Sequence, residues 1–138
     1  MTEYKKIFID TAPFMYYLEE NEQFCDTVSK FFLDNADAQF ITSSITVMEY
    51  LVLPKRDKNK KLVDDFYDFL NAVEIKIVPT DVAIADKAAD IRAEHTGYKG
   101  LDSIQLATAV YTGCDLFYTN DKQLKRFDEI ETLVVSEQ

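Results

Sequence analysis

Four carboxylates stand at places where segments of this chain begin or end. Asp10 follows the apolar run 6–9, Glu49 lies five residues beyond Ser44, Asp102 opens an apolar segment, and Asp121 follows the strand-like run 116–119. The carboxyl ends of parallel strands share one edge of a sheet, and open α/β folds bind their ligands there. Acids gathered at such an edge cannot all stay ionised without a counter-charge, and a hard divalent cation supplies it. The spacing therefore predicts a Mg²⁺ or Mn²⁺ site.

Each acid also has an ordinary structural explanation. Asp10 and Asp102 could cap the helices that follow them, and Asp121 belongs to an Asn-Asp turn signal. Thr46 and Glu49 have the spacing of a capping box, although a cap at Ser43 or Ser44 would place Glu49 deeper in its helix. Only the combination of the four indicates a functional site.

Length and composition indicate one domain over residues 1–138. The chain has 138 residues, 47% of them hydrophobic, and a formal net charge of −10. That charge argues against broad electrostatic attachment to nucleic acid or to an anionic membrane. The basic run 55–61 is either a solvated face or a local patch that guides RNA, with Lys99, Lys122, Lys125 and Arg126 as possible helpers.

Several other classes of protein find no support in the sequence. No apolar stretch approaches the length of a membrane span, and the N-terminus does not resemble a signal peptide, so we expect a cytoplasmic protein without membrane attachment. Cys25 and Cys114 are expected to be buried free thiols. His95 is the single histidine and lacks the surroundings of a catalytic triad, and no phosphate-binding glycine motif occurs.

Apolar periodicity divides the chain into alternating strands and helices. The predicted strands are 4–9, 39–42, 74–78, 116–119 and 132–135; the predicted helices are 11–20, 24–33, 43–53, 62–73, 82–94 and 102–112, with a helical turn at 122–127. Pro54 is expected to end the third helix, and Gly113 to follow the last one as a C′ glycine. Such alternation predicts an α/β fold with a mainly parallel sheet covered on both faces.

The four acidic segments together resemble the PIN domain family, in particular its small VapC-type toxins from prokaryotic toxin–antitoxin systems. The resemblance covers residues 7 to about 135 and is most specific in the blocks around Asp102 and Asp121. It implies a three-layer α/β/α sandwich and a metal-dependent endoribonuclease restrained by an antitoxin. It also places the family's acidic site on Asp10, Glu49, Asp102 and Asp121, whereas Gln105 stands where many relatives have histidine.

The chemistry of the residues agrees with that resemblance. Asp10 and Asp102 are the first choices for direct metal ligands, Glu49 and Asp121 can act through water or a second ion, and Thr11 and Thr119 can orient them. The ion would activate water for attack on an RNA phosphodiester. A catalytically silent PIN-like binding module and a receiver-like phosphoacceptor are the alternatives, but the latter usually has an acidic pair after its first strand, which is lacking here.

Partners are suggested by the first helix and by the resemblance. Phe14, Tyr16, Tyr17 and Leu18 make that helix more apolar than one buried face requires. They belong either to the core or to an interface with a second copy or an antitoxin helix. VapC-like proteins commonly form homodimers and bind an antitoxin segment, and an inserted arginine would suit the acidic site.

Overall fold

The structure is a computed structural model that describes residues 3–138. Its strands are β1 (Lys6–Ile9), β2 (Gln39–Ser43), β3 (Lys76–Val78), β4 (Leu116–Thr119) and β5 (Glu131–Val134). Its α-helices are α1 (Thr11–Leu18), α2 (Cys25–Asp34), α3 (Ser44–Arg56), α4 (Lys60–Ala72), α5 (Val82–Glu94) and α6 (Gly100–Tyr111), and short 3₁₀ helices cover Lys122–Arg126 and Val135–Glu137.

All five strands are parallel and lie in the order β3-β2-β1-β4-β5. β1 is therefore central and pairs with β2 on one side and β4 on the other. The carboxyl ends of β1, β2 and β4 consequently meet at one edge, which brings Asp10, Ser43 and Thr119 close together. The predicted α/β class with a parallel sheet is confirmed.

Side chains that alternate along β1 separate two hydrophobic cores. Ile7 and Ile9 pack beneath α1–α4, with Phe14 and Phe66 among their neighbours, whereas Phe8 faces α5 and α6. Helices thus cover both faces of the sheet, as buried parallel strands require. This arrangement is the predicted three-layer α/β/α sandwich.

The apolar first helix belongs mainly to the core. Phe14 is fully buried, and Tyr16, Tyr17 and Leu18 are partly buried against the same cluster. Tyr16 packs on Phe24 with ring centroids 4.9 Å apart. Met15, in contrast, is 37% exposed. The core interpretation of this helix is therefore correct for most of its surface.

Pro54 does not end the third helix as predicted, because α3 continues to Arg56. A proline inside a helix forfeits the bond to the carbonyl four residues earlier. The next turn still closes, since the Asp57 amide donates to the Leu53 carbonyl at 2.9 Å. The other predicted element ends differ from the observed ones by up to two residues, as is usual for helix and strand termini. No helix within residues 3–138 is long and apolar enough to cross a membrane.

Candidate metal site at the carboxyl edge of the sheet

Asp10 lies at the centre of the edge, directly after β1, and is held by neutral donors. Its Oδ1 accepts hydrogen bonds from the Thr11 amide at 2.8 Å and from Gln105 Nε2 at 3.2 Å. Its Oδ2 accepts one from Thr119 Oγ1 at 2.8 Å. Burial raises the pKa of Asp10, and these hydrogen bonds oppose that rise only in part. The carboxylate is therefore rigidly oriented and electrostatically uncompensated.

Gln105 connects Asp10 to the beginning of α3. Its side chain is buried, accepts a hydrogen bond from the Ser43 hydroxyl, and donates to Thr46 Oγ1 at 2.7 Å as well as to Asp10. Ser43 is the N-cap of α3, since its Oγ accepts from the Ile45 and Thr46 amides. One amide group thus fixes α6, α3 and Asp10 relative to each other.

Glu49 reaches the same edge from α3. Because Ser43 is the N-cap, Glu49 lies beyond the first turn and the capping-box interpretation is wrong. Its Oε1 accepts a hydrogen bond from Thr11 Oγ1 at 3.2 Å, so Thr11 contacts both Asp10 and Glu49. Burial raises the pKa of Glu49, and the charge of Asp10 raises it further.

Asp102 and Asp121 reach the edge from the first turn of α6 and from the end of β4. Asp102 belongs to the first turn of α6 rather than to its N-cap, which is Lys99. Burial raises the pKa of Asp102, and the charges of Asp121 and Asp10 add to the rise. The amide of Asp121 donates to Thr119 Oγ1 at 3.1 Å, and its Oδ1 caps the 3₁₀ helix through the Gln123 amide. Its capping role is thus observed alongside its position at the edge.

Three of the four acids line one groove. Its volume is about 640 Å³, and Lys99 and Gln123 line it together with Glu49, Asp102 and Asp121. Asp10 is not among the lining residues, but Thr11 links it to Glu49 and Thr119 links it to Asp121. The four predicted residues are thus brought together at the edge of the sheet.

The donor set at this edge suits a hard divalent cation. All four side chains offer carboxylate oxygens, which Mg²⁺ and Mn²⁺ prefer. Within residues 3–138 none of the four forms an ion pair, and burial together with the charge of a neighbouring carboxylate raises the pKa of Asp10, Glu49 and Asp102. Within the same residues, no group of three or more His, Cys, Asp or Glu side chains is arranged closely enough to hold a metal ion as it stands.

Asp115, the two cysteines and His95 do not belong to the group of four acids at the carboxyl edge. Asp115 accepts from the Lys5 and Lys6 amides at the opposite end of β1. Cys25 and Cys114 are free thiols, as expected, although each is only partly buried. His95 is also partly buried and stacks on Tyr98, with ring centroids 4.9 Å apart.

Removal of the Gln105 amide is expected to destabilise the fold. In Gln105→Ala, the buried hydroxyls of Ser43 and Thr46 lose their partner, and a buried polar group left unsatisfied costs about 1–3 kcal/mol. Urea denaturation should therefore show a lower free energy of unfolding than wild type. Gln23→Ala removes an exposed glutamine side chain and should have almost no effect. Equal stability of the two variants would contradict this role for Gln105.

The fold and the comparisons together identify the family. A PIN domain family model matches residues 7–130, so the chain belongs to the PIN domain family. Comparison with curated protein sequences gives no match. The acids at the carboxyl edge therefore lie in a PIN fold, as the sequence resemblance predicted.

Several solved structures have the same fold. A toxin–antitoxin complex from Klebsiella pneumoniae has a TM-score of 0.68 at 19% identity, covering 94% of this chain and 97% of that one. VapBC2 from Rickettsia felis, solved with a DNA fragment from its promoter, has a TM-score of 0.79 at 16% identity, covering 94% of this chain and 98% of that one. FitAcB from Neisseria gonorrhoeae has a TM-score of 0.72 at 21% identity, covering 96% and 99%. VapC20 from Mycobacterium tuberculosis, described as a sarcin-ricin loop cleaving toxin, has a TM-score of 0.72 at 16% identity, covering 91% and 97%.

Proposed function

We propose that this PIN domain is a metal-dependent endoribonuclease and the toxin of a toxin–antitoxin pair. One observation carries the proposal: Asp10, Glu49 and Asp102 lie at the edge where α/β folds bind ligands, and burial, together with the charge of a neighbouring carboxylate, raises the pKa of each. Uncompensated acids beside an open groove suit a cation that bridges the protein to a phosphate. The similarity to a toxin that cleaves an RNA loop supports RNA as the substrate class.

In this proposal Asp10 and Asp102 bind Mg²⁺ or Mn²⁺ directly, and Glu49 and Asp121 complete the site. When bound, the ion supplies Lewis-acid stabilisation of phosphate charge and activates water. Thr11 and Thr119 hold Asp10 in one orientation through hydrogen bonds of 2.8 Å. Glu49 uses Oε1 to accept from Thr11, which leaves Oε2 available for a proton or for a water ligand. The raised pKa of Glu49 makes it a stronger base than an ordinary carboxylate.

Metal removal tests this function. Purified protein with excess EDTA should not cleave single-stranded or structured RNA, and added Mg²⁺ or Mn²⁺ should restore cleavage. The metal should also raise the melting temperature, because a ligand at 100 times its Kd adds about 2.7 kcal/mol to the stability of the folded state. Asp102→Asn should show a smaller melting shift, whereas Asp90→Asn, an exposed helix residue, should behave as wild type. Cleavage that persists in EDTA would refute metal dependence.

A protein partner is the second part of the proposal. The solved relatives include toxin–antitoxin complexes, and α3 carries three exposed apolar residues, Met48, Val52 and Leu53, which are 50%, 55% and 43% exposed. Such a surface suits an antitoxin segment or a second copy of the chain. Co-purification with a small protein encoded alongside would support an antitoxin, and light scattering would show a homodimer. A lone monomer in both experiments would refute the partner.

A further inference from the structure

Residues 55–61, which we call the turn, run from the end of α3 to the start of α4 and carry five basic side chains and one acid, Asp57, on an acidic protein. Backbone hydrogen bonds close it, from the Lys58 amide to the Lys55 carbonyl at 3.2 Å and from the Asn59 amide to the Pro54 carbonyl at 2.8 Å. Lys58 has a φ of 54°, a left-handed conformation that non-glycine residues rarely adopt. The turn is therefore ordered by its own backbone and presents its side chains in a defined arrangement.

The basic side chains of this turn differ in their pairing. Lys60 and Lys61 each bind an aspartate one turn later in α4, both at 2.6 Å. Lys55, Arg56 and Lys58 are exposed and take part in no ion pair within residues 3–138. Three positive charges are thus available to a ligand on a chain whose formal net charge is −10.

A concave surface lies beside two of these three charges, Lys55 and Lys58. A cavity of about 310 Å³ is lined by Lys55, Lys58, Asn59 and Lys60 and by the apolar side chains of Pro54 and Val63. Positive groups around an apolar floor match a nucleotide, whose phosphate is anionic and whose sugar and base offer flat apolar surface. An acidic peptide would use the charges but would have little use for that floor.

The turn lies close enough to the acidic site for one RNA strand to contact both. Arg56 follows Glu49 by seven residues in α3, so the two lie on nearly the same face, about 10.5 Å apart along the axis. A stacked nucleic-acid strand covers that distance in about three nucleotides, at ~3.4 Å each. A strand whose phosphate reaches the acids can therefore also reach the turn.

We propose that Lys55, Arg56 and Lys58 form a binding site for the backbone phosphates of an RNA strand, about three nucleotides from the bond that is cut. This inference rests on the proposed nuclease function and names where its substrate is held. The acidic groove repels RNA wherever no cation intervenes, so binding strength comes from a separate positive surface. The turn supplies that surface and sets the direction of the strand along α3.

The test uses full-length protein and a fluorescent single-stranded RNA of about ten nucleotides. In the Asp10→Asn background with EDTA, the triple variant Lys55→Gln/Arg56→Gln/Lys58→Gln should bind at least about ten-fold more weakly than its parent. The slope of log K against log salt should fall by about 2, because each phosphate contact to a single strand contributes about 0.7. In cleavage assays the triple variant should raise KM, and this rise should disappear as the RNA is shortened below about three nucleotides.

The matched control for the double variant Lys55→Gln/Lys58→Gln is Lys5→Gln/Lys76→Gln, which likewise removes two exposed lysines that take part in no ion pair within residues 3–138. It should bind RNA as its parent does, which separates the turn from a general effect of net charge. Equal RNA affinity and salt slope for these two double variants would overturn the proposal. Weaker binding of poly-glutamate but not of RNA by the turn variant would also overturn it. Failure of the nuclease function would appear separately, as the absence of any cleavage that depends on Asp10.

Discussion

Asp10→Asn is expected to abolish RNA cleavage, with a loss of at least about 100-fold, while the fold is retained. Residues that merely orient metal ligands cost about 10–100-fold when they are mutated, and Asp10 is proposed as a ligand itself. Asparagine has nearly the same shape but carries no charge and one acceptor oxygen instead of two. Single-turnover cleavage of a labelled RNA at saturating Mg²⁺ measures the loss.

The same substitution should leave stability unchanged or increase it when metal is absent. Asparagine can still accept from the Thr11 amide through its oxygen and can donate to Thr119 Oγ1 through its amide group. Burial raises the pKa of Asp10 in the folded state, so ionisation at neutral pH favours the unfolded chain. Wild-type protein in EDTA should therefore gain stability as pH falls through the raised pKa, and this gain should be smaller in Asp10→Asn.

Asp90→Asn provides the matched control, because Asp90 is exposed on α5 away from the groove. It should cleave RNA at the wild-type rate and show the wild-type pH dependence of stability. Undiminished cleavage by Asp10→Asn would refute the metal-site proposal. A large loss of stability in that variant would instead show that the negative charge of Asp10 is needed for the fold.

Phe66→Ala is expected to cause the largest loss of stability, about 3–5 kcal/mol. The Phe66 side chain is fully buried on α4, stacks on Tyr50 with ring centroids 4.6 Å apart, and meets the edge of Phe14 at 5.7 Å. Its removal leaves a cavity where α1, α3 and α4 meet, and aromatic pairs add to the cost of the lost burial. A domain of this size has about 5–15 kcal/mol of stability in total, so the effect is large.

Phe66→Ala should also displace Glu49 and so reduce cleavage, because Tyr50, which stacks on Phe66, follows Glu49 directly in α3. Chemical denaturation measures the stability loss, and cleavage per folded molecule measures the effect on the site. Tyr67→Ala is the control: Tyr67 is the next residue of α4 and is 42% exposed, so its removal should cost clearly less. A similar loss for both variants would show that Phe66 does not hold α3 and α4 together.

Most helices and strands could be predicted from the sequence, because the residue patterns that indicate them lie within each element or directly beside it. Alternating strands and helices, a buried pattern such as that of residues 6–9, and the glycine after the last helix all depend on neighbouring residues. Pro54 misled the prediction, since a proline signals a helix end in most contexts but is tolerated where the next turn closes without it. Tertiary packing, with Pro54 buried in the domain, decided that case.

The network around Gln105 could not be read from the sequence in the same way. In the sequence, Gln105 stands out only through the resemblance to PIN domains, many of which have histidine at this position. Its contacts to Ser43, Thr46 and Asp10 span 62, 59 and 95 residues of chain. No periodicity or spacing rule encodes such distances, since they depend on which strands are neighbours in the sheet.

By itself the sequence determined the α/β class and the resemblance to PIN domains. It also singled out the four candidate acids, because acids that follow strands or open helices stand out against apolar surroundings. Only the tertiary structure decided that Glu49, Asp102 and Asp121 line the groove while Asp10 does not. It also decided that Lys60 and Lys61 form ion pairs, whereas Lys55, Arg56 and Lys58 form none within residues 3–138. The reason is physical: burial and charge pairing depend on three-dimensional neighbours, and β1 acquires its neighbours only when the sheet has formed.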